Sequence, residues 1–301
     1  MEPRISSQGQ NRGFGVQDLI VVAAMNILWG FNIIAVKMAV SAIAPLTAGF
    51  LRQVLVFIVC MGSLRIVRGR MRALTALGIL SGGAFYVATN LSLAITHNVG
   101  ALAIAGQLGV PFSLILAIIV FRERIHLPRI IGIALSVGGI GLLVFDPTMV
   151  NEIPGLALTA LASFIWAICM LIQRRLIGVP VLTIYAWVGL WGTITLGAVA
   201  VIAEPEAMRS IPSLPLGTLG WVAFSAIGST VLGQGSMSWL LQRHPVSIVT
   251  PLTLAAPVIA VFATGWYFDT PPTMLMLAGG AIAMIGVAIV TIRTARAGDT
   301  P

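Results

Sequence analysis

Long apolar runs separated by short polar breaks make up nearly all of this chain. They fall at about 18–38, 47–64, 73–95, 99–121, 128–145, 154–173, 181–203, 216–240, 246–268 and 273–292. Each is long enough, as a helix, to cross roughly 30 Å of hydrocarbon. The pattern therefore predicts ten helices. Pro45, Pro128, Pro154, Pro180, Pro215, Pro245 and the Pro271-Pro272 pair stand where helices would start, the position at which a missing N–H costs least.

The runs repeat. In both Ala23–Lys37 and Ala160–Arg174 a Trp is followed eight residues later by a base: Trp29 and Lys37, then Trp166 and Arg174, at an offset of 137. A longer match aligns Val99–Pro111 with Pro245–Pro257 at an offset of 146, which also places Phe121 on Tyr267 and Glu123 on Asp269. Self-similarity at a fixed spacing marks a duplicated unit. The expected organisation is a tail at 1–17, a five-helix repeat at 18–145, a linker at 146–153, a second repeat at 154–292 and a tail at 293–301. An odd number of helices per repeat makes the second copy enter the membrane from the opposite side. The fold class expected is an all-α polytopic membrane protein, two inverted repeats around a central cavity.

Composition agrees with the pattern. The 301 residues are 58% hydrophobic and 9% charged, too little polar surface for a water-soluble globule. The net charge of +8 is carried in short loops, so it is no sign of nucleic-acid binding. With the N-terminus inside, 14 of the 17 basic residues fall in inside segments: Arg4, Arg12; Arg65, Arg68, Arg70, Arg72; Arg122, Arg124, Arg129; Arg174, Arg175; Arg243; Arg293, Arg296. Asp146, Glu152, Glu204, Glu206 and Asp269 fall outside. This alternation predicts cytoplasmic N- and C-termini. The apolar run after the polar first 17 residues is too long for a signal-peptide core, so no cleaved leader is expected. Cys60 and Cys169 both lie in apolar runs, and neither a disulfide framework nor a metal site is expected of them.

The candidate chemistry is uncharged. Asn26, Asn32, Asn90, Gln107 and Gln234 lie inside apolar runs, and Tyr86 precedes Asn90 by one helical turn on the same face. Such groups avoid lipid, so they line a polar interior or bond helix to helix. Trp29 and Trp166 are mid-helix and their N–H groups need partners, in a cavity or on a carbonyl. Pro111 and Pro257 are mid-helix at matching places. They free the carbonyls of Gln107 and Thr253, as kinks that face substrate or as simple bends. Lys37 either snorkels to the outer interface or gates it. Arg52, about two turns into its helix, should point into the bundle, as a gate or as an attraction for a substrate carboxylate. No Asp or Glu stands mid-run, so no obligatory proton carrier is visible. There is no phosphate-cradling Gly-Lys-Ser/Thr loop and no His-Glu-x-x-His. No catalytic residue and no cofactor is expected.

Leu28-Trp29-Gly30 with Lys37, the run Gly100 to Pro111, the end Phe121-Arg122-Glu123-Arg124 and their second-half counterparts make the chain resemble the drug/metabolite transporter superfamily, in particular its ten-helix EamA-type exporters. The resemblance covers almost the whole chain. It implies metabolite export from a bacterial inner membrane through a cavity between the repeats. Small multidrug resistance relatives carry a glutamate eight residues before the first-helix lysine, where this chain has Trp29. That departure weighs against proton antiport of cationic drugs. Within the ten-helix group the chain looks most like YddG-type aromatic amino-acid exporters.

The reading expected is an exporter of neutral or aromatic amino acids by alternating access, facilitated and not proton-coupled. Trp29, Asn32, Tyr86, Asn90, Gln107, Trp166 and Gln234 are the candidate substrate contacts. Lys37, Arg52, Pro111 and Pro257 are the candidate gates or kinks. The partners are a small-molecule substrate and the lipid bilayer, with no nucleic acid and no obligatory protein partner. Two alternatives stay open: a proton-coupled multidrug or metabolite antiporter of the same fold, and a non-transporting membrane scaffold or enzyme.

Overall fold

A chain whose helices are apolar on most sides can satisfy its backbone only within each helix, and its architecture is then set by where helices approach closely. The computed structural model describes residues 15–121, 127–241, 243–244, 249 and 251–298. Most of the expected N-terminal tail, Arg122-Glu123-Arg124, Pro245 and Ser247 lie outside the described residues.

The main helices, in chain order, are α1 (Val16–Ala42), α2 (Pro45–Cys60), α3 (Met71–Ile95), α4 (Val99–Val120), α5 (Leu127–Val144), α6 (Ile153–Arg174), α7 (Val181–Ala203), α8 (Leu216–Leu240), α9 (Ala255–Tyr267) and α10 (Met274–Gly298). Among the described residues eight are long and apolar enough to span a membrane. The apolar parts of α5 and α9 are shorter, Ile130–Leu143 and Ala255–Tyr267. Pro45 and Pro154 sit in the first turns of α2 and α6, and Pro180 and Pro215 are the N-cap residues of α7 and α8. The expected ninth run is described as a continuous helix only from Ala255. The expected linker is a 3-10 turn, Pro147–Glu152, and α10 continues through Gly298 into the segment expected as a tail.

Three main helix pairings recur when the two halves are exchanged. α1 packs on α9 as α6 packs on α4; α3 packs on α6 as α8 packs on α1; α3 packs on α7 as α8 packs on α2. Two counterpart pairs, α2 with α7 and α5 with α10, pack directly on each other. Both pairs run antiparallel. Gly189, Gly192 and Gly197 of α7 meet Phe57, Gln53 and Phe50 of α2 in turn. Gly132 of α5 faces Gly286 of α10, and Gly139 faces Gly279. Counterpart helices that run antiparallel make the two repeats inverted. Small residues let these backbones touch without help from a hydrophobic driving force, which lipid does not supply.

The two ends of the bundle are held differently. At the acid-rich end, both oxygens of Glu204 accept from the start of α2: Leu46 N at 3.0 Å, Thr47 N at 2.8 Å and Thr47 Oγ1 at 2.8 Å. These are charge-assisted bonds to orphan N–H groups at the positive end of a helix dipole. Asp146 accepts from the Thr273 hydroxyl and from the Thr148 hydroxyl and N–H, joining the α5–α6 turn to the start of α10. Those bonds, the Thr273 hydroxyl first, hold the Asp146 carboxyl below its ordinary range. At the arginine-rich end, Arg70 Nη1 donates to the Arg175 carbonyl and Asp18 pairs with His244 at 3.2 Å.

Two outcomes follow from these contacts. A Cβ on Gly139 would come within 2.5 Å of the Ala283 N and of the Gly279 O, so Gly139→Ala must part α5 from α10. It is expected to destabilise the protein by about 1–3 kcal/mol, read as a lower thermal midpoint in detergent. Because the folded Asp146 carboxyl titrates below its unfolded counterpart, its contribution is complete above the unfolded pKa and is lost as pH falls through the folded one. Asp146→Asn should reduce the acid-side fall in the unfolding midpoint; an unchanged acid limb would contradict this.

Candidate functional site

Polar groups at membrane depth persist where the helix backbone itself is irregular. α3 and α8 each carry a π-helical segment, Gly78–Ala84 and Phe224–Gly233. The two segments begin at positions related by the 146-residue offset. π segments disturb the regular i→i−4 ladder, and they recur at functional sites. The chain supports them with glycine: Gly82 lies against the Val188 carbonyl and Gly192 of α7, and Gly233 against the Trp29 indole. A second matched pair of irregularities precedes the prolines. α4 tightens to a 3-10 turn at Gly106–Leu108, before Pro111, and Thr253–Leu254 is a turn before α9 and Pro257. The regular helices that hold the two prolines restart at Gly109 and Ala255, again 146 apart.

The structure brings four of the sequence candidates together. Arg52 on α2 is 7% exposed. Its Nη2 donates to Thr230 Oγ1 at 2.8 Å, and its guanidinium lies 4.3 Å from the centroid of the Tyr86 ring. Thr230 Oγ1 in turn donates to the Ser225 carbonyl at 3.3 Å, and Ser225 Oγ donates to Asn32 Oδ1 at 2.8 Å. Asn90 Nδ2 donates to the Pro45 carbonyl at 2.8 Å. Val36, Ala39, Ala48, Arg52, Asn90, Val222 and Ser225 line a small recess between α1, α2, α3 and α8, with room for roughly one water. Ser225 and Thr230, both in the π segment, were missed from sequence. Two hydroxyls in a glycine-bearing apolar run were the available signal.

The other candidates lie elsewhere. Trp29 Nε1 donates to the Ser229 carbonyl at 3.1 Å, within the π segment of α8. Trp166 stacks at 5.3 Å on Phe85, whose ring is 5.0 Å from that of Tyr86. Gln107 sits in the 3-10 turn of α4, and Gln234 follows the π segment, its carbonyl taking the Ser238 hydroxyl. Neither Gln lines the recess. Lys37 Nζ donates to the carbonyls of Leu93 and Thr96 at 2.7 and 2.6 Å, where orphan acceptors end α3. Glu152 completes that corner by accepting from His97 N at 3.0 Å.

Among the described residues the buried apolar core forms one large cluster at one end and smaller clusters at the other. A single cluster at the acid-rich end runs through α1, α2, α3, α4, α5, α6, α8, α9 and α10. At the arginine-rich end, among the described residues, a cluster of α3, α6 and α7 around Leu74, Leu77 and Cys169 shares no residue with one of α1, α8 and Val249 around Met25 and Leu240. Trp166 packs on the first and Trp29 on the second. A third, smaller cluster joins α2, α7 and α8.

An inverted helical duplication, symmetric in its packing and broken at matched places, defines a polytopic membrane protein of the transporter class. The chain belongs to the EamA-like transporter family, whose model matches residues 18–145 and again 153–292. It is similar to a probable amino-acid metabolite efflux pump of Escherichia coli (strain K12), 24% identical over 93% of this chain and 95% of that protein. An uncharacterized transporter of Archaeoglobus fulgidus is 27% identical over 90% of this chain and 97% of its own length. A solved crystal structure shares the fold, with a TM-score of 0.64 over 94% of this chain and 99% of that one, at 17% identity. The protein is thus a membrane transporter.

Lys37→Met removes two bonds to helix-end carbonyls without adding bulk. It is expected to cost about 1–3 kcal/mol and to speed amide exchange over residues 97–102, while exchange at the arginine-rich end stays as in the wild type.

Proposed function

We propose that this transporter exports neutral amino acids, aromatic ones among them, from the cytoplasm by alternating access. The observation that carries the reading is that, among the described residues, the core is one large cluster at the acid-rich end and separate smaller clusters at the arginine-rich end, in a bundle whose two halves are inverted copies. Inversion gives such a bundle a second state of similar energy in which the joined and divided ends change places. The positive-inside alternation argues for the arginine-rich end and both termini on the cytoplasmic side of a bacterial inner membrane. The state described then opens inward. The uncharged, aromatic character of Trp29, Asn32, Tyr86, Asn90, Gln107, Trp166 and Gln234 suits a neutral substrate with an apolar side chain. Pro111 and Pro257, beside the two helix breaks, are the hinges of this reading.

The acids near the membrane are committed to structure. Glu204, Glu152 and Asp146 all cap backbone or hydroxyl groups at one end, and none stands mid-helix to load and unload a proton. The movement is therefore facilitated, driven by the substrate gradient. Labelled Trp, Phe, Met and Thr should enter proteoliposomes holding the purified protein saturably, at the same rate with and without a pH gradient. Strict dependence on that gradient would replace facilitation by proton antiport; failure to take up any of the four would discard the amino-acid reading.

A further inference from the structure

Among the described residues Arg52 is a cation without a counter-charge. Among the described residues the ionisable groups facing it are the phenols of Tyr86 and Tyr185, not carboxylates. Three carboxylates at the nearer end of the bundle are already used, Glu204 on α2, Glu152 on His97, and Asp146 on Thr148 and Thr273, and Glu206 and Asp269 are exposed. A guanidinium has five N–H donors. One Nη2 bond reaches Thr230 and the ring of Tyr86 covers a face, but Nε is buried with no acceptor. Burial of a cation away from water is tolerated when an anion or a full set of acceptors replaces its hydration. Neither is present in full.

The recess supplies the place for such an anion. It opens beside Arg52, and the other polar groups on its wall are Asn90 and Ser225. Ser225 Oγ is committed to Asn32. Asn90, 2% exposed, has its amide N–H on Pro45 and its Oδ1 buried without a donor. One wall thus offers positive charge and an unused donor, and the other an unused acceptor. A halide-sized anion matches the first wall and the size of the recess.

We propose that the recess between α1, α2, α3 and α8 is an anion-binding site in which Arg52 holds one small monovalent anion. With room for roughly one water, the recess admits a free halide-sized ion, and the proposal does not rest on the amino-acid reading above.

The test uses the purified full-length chain in detergent, with chloride as the probe and the larger acetate as a control at constant ionic strength. Anything that binds the folded state alone raises the unfolding midpoint with its concentration. The wild type should show a saturable rise with chloride and none with acetate. Arg52→Gln should lose it. Ala48→Asp, which places a carboxylate one turn before Arg52 on the same wall, should also lose it, because its tethered anion takes the site; this keeps the test decisive if Arg52→Gln does not fold. Equal rises in the wild type and in either folded variant would overturn the site.

Discussion

Hydrocarbon offers no hydrogen bonds, and that one fact governs the whole molecule. Every N–H and C=O released from a regular helix must find a partner inside the bundle. Trp29 supplies one for the π segment of α8, Lys37 supplies two for the end of α3, and Glu204 accepts two N–H groups at the start of α2. Each partner comes from a different helix, so satisfying the backbone also fixes which helices are neighbours. Polar side chains that read as candidates for substrate contact in fact serve this accounting first, and only the atoms left over remain for a ligand.

The duplication turns local irregularity into a paired device. π segments at corresponding places in α3 and α8, and helix breaks at corresponding places before Pro111 and Pro257, give each half the same weak points. A packed core does not deform smoothly; it switches between arrangements. The small-residue seams of α2 with α7 and α5 with α10 join counterpart helices across the symmetry axis. Seams placed there can stay packed while the remaining helices rearrange about them, since exchanging the two halves returns each seam to itself.

Arg52 shows why charge is informative in this setting. A surface arginine would be worth little comment, but a buried one marks a position where solvation has been replaced by something specific. The hydroxyl of Thr230 and the ring of Tyr86 replace part of it.

Much of the architecture was legible in the residues alone. Apolar runs of spanning length located the helices: the run at 181–203 matches Val181–Ala203, and the others that are fully described begin or end within a few residues of expectation. Run length is fixed by membrane thickness, which a sequence encodes directly. The offsets of 137 and 146 exposed the duplication, and prolines marked the starts of α2, α6, α7 and α8. The pairing of Tyr86 with Asn90 on one face, and the inward course of Arg52, also followed from helical geometry and the cost of polar groups in lipid.

What only the tertiary structure decided is which polar groups meet. Ser225 and Thr230 join Asn32 and Arg52 because a π segment re-aims them, and no spacing rule announces a π segment. Lys37 turned to the end of α3 rather than to a gate in solvent because two carbonyls happen to finish there. The indole of Trp29 found a carbonyl 200 residues away. Which end of the bundle is joined was likewise absent from the sequence, since two inverted copies of one unit encode both states almost equally. A sequence states what each helix must bury; the contacts between helices decide what is left unburied, and there the function lies.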